Sequence, residues 1–336
     1  MLHEVIAVMD EIRALIEQLK ANEMMRIECA NKIAQVDGII EKCSKVDGLA
    51  LRVGAVDACI ISQEFHAFDL IMIKTAGVVF EYAKGALEKY EYIPSPFPKI
   101  KLLVHGSMEL AELGQYKTIL RLSEEITLAR KVAEKCDLLL IDGSLVPLPG
   151  DKPSSKEMKK EYDALVKEYL QLFSESESKV IGVVKDSRSR RFMDEYSHVV
   201  SEEVAKNTND SALLNDVLEK GEMTRAIKYS NNTQTNPVLK DFIPFSDKLR
   251  ISYIKAGKDD RPVRVEFFEG NEHVRDIVYT LCAINDSYAY PSVLIEADLR
   301  ALIDQKESER VLREVALTPY LKDARVLRRN SRPFRH

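Results

Sequence analysis

Cysteine is scarce in this chain of 336 residues: there are five, at 29, 43, 59, 136 and 282, and no two form a Cys-x-x-Cys pair. An odd number without that spacing excludes a disulfide framework and a structural zinc site, and it predicts a reducing, cytoplasmic setting. No run approaches the ~18 uncharged apolar residues that a membrane span needs. The opening Met1-Leu2-His3-Glu4 lacks the basic segment and small-residue cleavage site of a secretion signal. There is no Gly-x-x-x-x-Gly-Lys-Ser/Thr, so ATP hydrolysis through a P-loop is not expected. The six histidines form no His-Glu-x-x-His, no Gly-x-Ser-x-Gly elbow occurs, and no Gly-x-Gly-x-x-Gly follows a strand. Dehydrogenase, kinase and serine-hydrolase chemistry therefore have nothing to stand on. Internal repeats and low-complexity segments are also missing.

What is present is an apolar share of 45% beside 31% charged residues, ample for a true core and incompatible with a disordered chain. The length allows two domains or one large core with additions. The net charge of −5, from 49 Lys+Arg against 54 Asp+Glu, hides an asymmetry. Residues 310–336 carry eight Arg or Lys against Glu314 and Asp323, a tail of +6 that leaves −11 for the rest. Such a tail suits a polyanion or an acidic partner, and equally a solubilising terminus.

Periodicity orders the elements. Leu2, Val5, Ile6, Met9, Ile12, Leu15, Ile16 and Leu19 recur every three or four residues and predict a first helix with one apolar stripe. That stripe can cover the domain's own core or pair with a second subunit. After the turn at Asp47-Gly48, residues 50–62 and 68–82 read as strands. A third extended run at 90–104 contains Pro94, Pro96 and Pro98, the mark of an edge or broken strand. Residues 117–135 are helical, 137–142 and 179–185 are short buried strands, and a charged helix spans about 154–173. Short connections make the first three strands antiparallel neighbours, and the helix-linked strands should run parallel. This succession predicts an α/β fold with a ribonuclease H-like mixed sheet flanked by helices. Residues 195–245 read as a mostly helical insertion, followed by strands at 249–256 and 261–269 and helices at 272–284 and 293–306. The expected division is an N-terminal helical segment over 1–46, a ribonuclease H-like domain over 47–309 and a basic C-terminal segment over 310–336.

Acidic residues on apolar strands need a reason, because an ionised buried Asp is costly unless paired. Asp57 interrupts Val53-Gly-Ala-Val56 and Ala58-Cys-Ile-Ile61, and Asp142 ends Leu138-Leu-Leu-Ile141. Either alone could be a turn or cap residue. Placed on neighbouring strands, the two would meet near the centre of the sheet. On the helix 117–135, Glu125 lies roughly 50° from the centre of the apolar face and Glu124 about 150° away, at 100° per residue. Glu125 is therefore the candidate ligand and Glu124 a solvated residue. Asp298, among Val293, Leu294, Ala297 and Leu299, is a fourth candidate, or else a surface residue paired with Arg300. Four carboxylates in one cleft suit hard divalent ions, Mn²⁺ or Mg²⁺, and two such ions could serve an in-line phosphodiester displacement. Lys185, Arg188, Arg190 and Arg191 follow the last core strand as candidate phosphate contacts, or as a solvated basic loop.

Together, Ala55-Val-Asp57, Leu140-Ile-Asp142-Gly-Ser-Leu145, Val183-Val-Lys185-Asp and Tyr290-Pro291 with Ala297-Asp298 resemble the NurA family of DNA end-processing nucleases, over about residues 45–305. The resemblance implies manganese bound through Asp57, Asp142 and Glu125, a functional Tyr290, and a basic position at Lys185. It further implies a homodimer enclosing a DNA channel, a hexameric HerA-type translocase ATPase as partner, and 5′-to-3′ resection of DNA ends in double-strand-break repair. Single-strand endonuclease action is left open beside the exonuclease. Two features depart from the family pattern: Ala58-Cys59 replaces Gly/Ser-rich residues, and Asp298 stands where relatives carry a histidine. The rival expectation is a catalytically weak subunit that clamps DNA and regulates a translocase; a ribonuclease of the same fold is a third.

Overall fold

A computed structural model describes residues 2–317 apart from 154 and 186. The elements in chain order are α1 (Leu2–Ala34), β1 (Ile40–Lys42), β2 (Leu51–Glu64), β3 (Phe68–Ala83), β4 (Ala86–Ile93), β5 (Lys101–Gly106), α2 (Leu110–Ala133) and β6 (Leu138–Asp142). They continue with α3 (Lys156–Ser176), β7 (Val180–Val184), α4 (Arg191–Glu195), α5 (Glu202–Asn207), α6 (Asp210–Val217), β8 (Glu222–Thr224) and β9 (Ile227–Lys228). β10 (Leu249–Lys255), β11 (Val263–Phe268), α7 (Val274–Cys282), α8 (Ser292–Ala301) and α9 (Gln305–Leu317) complete the described chain. No helix among the described residues is long and apolar enough to cross a membrane.

Two compact units share these elements. One takes the chain up to Val46, Val183–Asn232 and Asp247–Tyr290; the other takes Asp47–Gly182, Thr233–Ser246 and the chain from Pro291 on. In the first unit β1, β8, β10 and β11 lie side by side in that order, with β9 also on β10. Cys29, Ala30 and Ile33 near the end of α1 are buried, and Arg26 is paired with Asp216 of α6 at 2.5 Å. Further back, Met9, Ile12, Leu15, Ile16 and Leu19 are exposed. From Met9 to Leu19, among the described residues, the predicted stripe is thus open rather than packed on its own chain.

In the second unit the sheet runs β6-β2-β3-β4, with β5 also on β3. β2 pairs antiparallel with β3 along its whole length and parallel with β6 from Val53↔Leu138 to Val56↔Ile141. The parallel pair is joined through α2, the crossover helix such a pair requires. The single third strand expected over 90–104 is two strands that take turns on one edge of β3: β4 pairs with residues 77–83 and β5 with residues 68–73. Pro94, Pro96 and Pro98 lie between them, where no ladder donor is available.

α2 begins seven residues earlier than the period suggests, since buried Leu113 extends its apolar face by another turn. The close seat of α2 on the sheet needs two glycines. A Cβ at Gly54 or at Gly77 would stand 2.6 Å from a Val132 methyl. α3 starts where Ser155 accepts from the Met158 N–H at 3.3 Å. The helix expected over 293–306 is instead two helices. Asp304 accepts from the Glu307 N–H at 2.8 Å while Glu307 accepts from the Asp304 N–H at 3.2 Å, a capping box that starts α9 afresh. Within 195–245 the α-helices stop at Val217, the short strands β8 and β9 follow, and only a 3-10 turn at Leu239–Phe242 is helical after them. Most of the basic segment, residues 318–336, lies outside the described residues.

Candidate metal centre

Register brings the two strand aspartates together. Val56↔Ile141 is the last paired couple of β2 and β6, so Asp57 and Asp142 are the next residue on each strand. Neighbouring strands are ~4.8 Å apart and paired residues share a face, so both carboxylates leave adjacent backbones in one direction. Asp57 is three residues on from Gly54, which faces α2, so by alternation it points to the opposite face of β2. There α8 supplies Asp298, whose carboxyl hydrogen-bonds that of Asp57.

Burial raises the Asp57 pKa to about 6; the Ala58 N–H works against this, and the neighbouring charges of Asp142 and Asp298 add to it. From α2, over the other face of β2, Glu125 comes near enough for the charges of Asp57 and Asp142 to act on it. Its side chain is 2% exposed, and burial pushes its pKa up to about 8, helped by the charges of Asp57 and Asp142. Arg121, one turn earlier, donates to Glu125 Oε2 at 2.9 Å and pulls the other way, but its own side chain is a third exposed and does not offset the desolvation. Glu125 Oε1 is buried without any hydrogen-bond partner.

α3 lies nearby. Buried Tyr169 lies close enough to Glu125 for its phenol to be held up by burial and then by that charge. Its ring packs at 5.9 Å from both Phe173 and Phe242, an aromatic cluster. A carboxyl kept protonated near neutrality, one orphaned oxygen and three further acidic side chains are what a hard divalent cation would satisfy. The donor set therefore fits Mn²⁺ or Mg²⁺. Among the described residues no three potential ligands already converge on one point, so holding an ion requires these carboxylates to draw together.

Glu124, as the helical wheel requires, turns away and is ion-paired with Lys101. Lys185, Arg188, Arg190, Arg191 and Tyr290 belong to the first unit. Lys185 is exposed and its ammonium stands 4.9 Å from the centre of the Tyr290 ring. Tyr290 is only 4% exposed, and its hydroxyl donates to the Val183 carbonyl at 3.0 Å. The ring is thus buried beneath Lys185. Arg191 is likewise engaged, stacked 4.0 Å over the Tyr229 ring with Nε on the Tyr229 carbonyl, whereas Arg188 and Arg190 are exposed. Sequence reasoning missed Arg121 and Tyr169. The first could have been found from its i, i+4 spacing to Glu125. The second carries no local signal.

Comparison with known proteins follows the same residues. The NurA domain family matches residues 51–303. The fold is similar to that of the NurA nuclease from Sulfolobus solfataricus, with a TM-score of 0.62 at 15% identity, covering 94% of this chain and 97% of that one. It is also similar to a NurA structure with manganese (TM-score 0.54, 11% identity, 90% and 98% covered). A third similar structure is NurA bound to dAMP and manganese (TM-score 0.51, 11% identity, 93% and 96% covered). No curated protein matches the sequence. Because the family match runs from the first residue of β2 to just past α8 and spans all four carboxylates, the chain belongs to the NurA domain family.

Proposed function

We propose that this chain is a divalent-metal-dependent deoxyribonuclease that hydrolyses phosphodiester bonds at DNA ends. Its core is read as ribonuclease H-like, a reading supported by the parallel β2–β6 pair beside antiparallel β3. The observation that carries the function is the buried Glu125 carboxyl with one unpartnered oxygen, facing the charges of Asp57 and Asp142. In this proposal Asp57, Glu125, Asp142 and Asp298 hold Mn²⁺ or Mg²⁺, two ions per site. Such ions, when bound, lower the pKa of water and neutralise charge on the leaving oxygen.

The chain's own residues have separable tasks. Glu125, buried, and Asp57, hydrogen-bonded to Asp298, keep protons on the acidic cluster until a cation displaces them. Arg121 fixes Oε2 of Glu125 and leaves Oε1 available. Lys185, over the Tyr290 ring, and the exposed Arg188 and Arg190 meet the phosphates. The manganese and dAMP in the similar NurA structure support this choice of ion and substrate class.

The wider proposal is 5′-to-3′ resection in double-strand-break repair by a homodimer working with a HerA-type hexameric ATPase, in the cytoplasm. It draws on the exposed stripe of α1 for a second copy and on the missing P-loop for a partner that supplies ATP-driven movement. The test is cleavage of end-labelled duplex DNA in Mn²⁺ and in EDTA. Cleavage should need the ion, and Asp57→Ala or Asp142→Asn should lower it by about a hundredfold or more with an unchanged circular-dichroism spectrum. A chain that binds DNA in EDTA and never cuts in Mn²⁺ would be the DNA-clamping subunit instead.

A further inference from the structure

The first unit contains buried polar groups that the proposed metal chemistry does not use. Asp210, the first residue of α6, is wholly buried and accepts four hydrogen bonds. They come from Ser189 Oγ (2.9 Å), the Tyr253 hydroxyl (2.6 Å), and the N–H groups of Phe192 (3.0 Å) and Met193 (3.1 Å). Its own N–H donates to the Ser189 carbonyl at 2.9 Å. One strand over, Arg264 of β11 is ion-paired with buried Glu266 at 2.7 Å and donates to Ser187 Oγ at 2.7 Å. The two serines are themselves 3.2 Å apart.

A buried carboxylate and a buried guanidinium are a poor way to stabilise a core, since well-packed apolar residues would serve as well or better. What they accomplish here is geometric. Besides the strand residues Tyr253 and Glu266, Asp210 and Arg264 hold Ser187, Ser189, Phe192 and Met193 of the segment 187–193, which follows Lys185 closely. Within that segment the residues alternate: Ser187 and Ser189 turn inward to the network, while Arg188 and Arg190 are exposed, as is Lys185. Arg190 is further steadied by donating to the Ala205 carbonyl at 2.8 Å. The inward row thus dictates where the outward cations stand, before any ligand arrives.

We propose that Asp210, with Tyr253 and Arg264, is a positioning group that holds Lys185, Arg188 and Arg190 as a preorganised ledge for consecutive phosphates of the DNA backbone. This rests on the reading above that the loop meets DNA. A preset row of cations binds more tightly than a mobile one because its ordering cost is met during folding. It also sets how many counterions binding releases, which the salt dependence reports at a slope of about 0.9 per phosphate contact.

The experiment uses the full chain and a short fluorescein-labelled blunt duplex in EDTA, with anisotropy read from about 50 to 200 mM salt. The reference is the double variant Arg188→Ala, Arg190→Ala, which should flatten the slope by about 2. Asp210→Asn, whose amide presents a donor where donors converge, should flatten it by about 1 to 2 and weaken binding roughly tenfold near 150 mM. In Mn²⁺ its KM for DNA should rise while kcat stays within about twofold. Ser189→Ala should move the same readouts less. Should Asp210→Asn fail to fold, Ser189→Ala and Tyr253→Phe decide. A purely structural network would lower the melting temperature and leave the slope of the folded protein at its wild-type value. That result, with the double variant flattened as expected, overturns the positioning role and spares the DNA-contact reading. A wild-type slope in the double variant overturns both.

Discussion

Replacing Glu125 with Gln should stabilise the metal-free protein and abolish its response to manganese, two effects of opposite sign from one substitution. The ordinary carboxyl pKa of 4.5 is raised to about 8 by burial. A raised folded-state value means that the favourable contribution is complete below pH 4.5 and is lost as pH rises through about 8. At pH 7 the unfolded chain is ionised while the folded chain must hold the proton. At about 1.4 kcal/mol per pH unit that costs the fold about 3 kcal/mol, growing to about 5 above pH 8. Gln has nearly the same volume and carries no charge, and its carbonyl can still accept from Arg121, so the cost disappears. Urea unfolding in EDTA should show Glu125→Gln more stable by about 3 kcal/mol at pH 7, with no difference below pH 4.5. In saturating Mn²⁺ the order should invert, because wild type gains the linkage term of a bound ion and the variant does not. A variant no more stable than wild type in EDTA at pH 8, or one stabilised equally by Mn²⁺, would refute the reasoning.

Mn²⁺ binding at pH 6 should release one to two protons, since Asp57 with a pKa of about 6 and Glu125 with about 8 both carry protons there. Calorimetry in buffers of different ionisation enthalpy measures this, and release should fall toward zero above pH 9. Gly54→Ala would set a Cβ 2.6 Å from a Val132 methyl and 2.8 Å from Cys136 Sγ. Overpacking of this kind should cost about 1–3 kcal/mol in urea unfolding. It should also weaken Mn²⁺ affinity by lifting the helix that carries Glu125. Leu15→Glu with Leu19→Glu on the exposed face of α1 should turn a dimeric mass on light scattering into a monomeric one; a wild-type chain already monomeric at high concentration would dismiss that interface.

Much of the second unit can be read along the chain, because its signals are local. Apolar runs interrupted by Asp57 and ended by Asp142 mark the strands and the odd residues on them together, and the helical period alone separates Glu125 from Glu124. The three prolines between Ile93 and Lys99 announce a break in the third strand. They do not say that both pieces return to the same edge of β3, which depends on pairings set by residues far away. Short strands such as β1 and β8 escaped notice for the same reason: three residues carry no usable period, and the two pair with each other across 180 or more positions. Tyr290 is drawn from a motif, but its burial and its bond to Val183 follow from packing. Asp210, in Thr208-Asn-Asp-Ser, reads as an unremarkable helix start.

The identity and spacing of the acidic residues, and the strands and helix that carry them, were thus settled by local pattern, since side-chain period and backbone preference act over a few residues. The environment those acids meet was decided elsewhere. The raised pKa of Glu125 depends on its burial in the folded core and on the charges of Asp57 and Asp142 arriving from distant strands. Desolvation and like-charge repulsion arise between groups that meet only when the chain is folded, and a one-dimensional pattern contains neither.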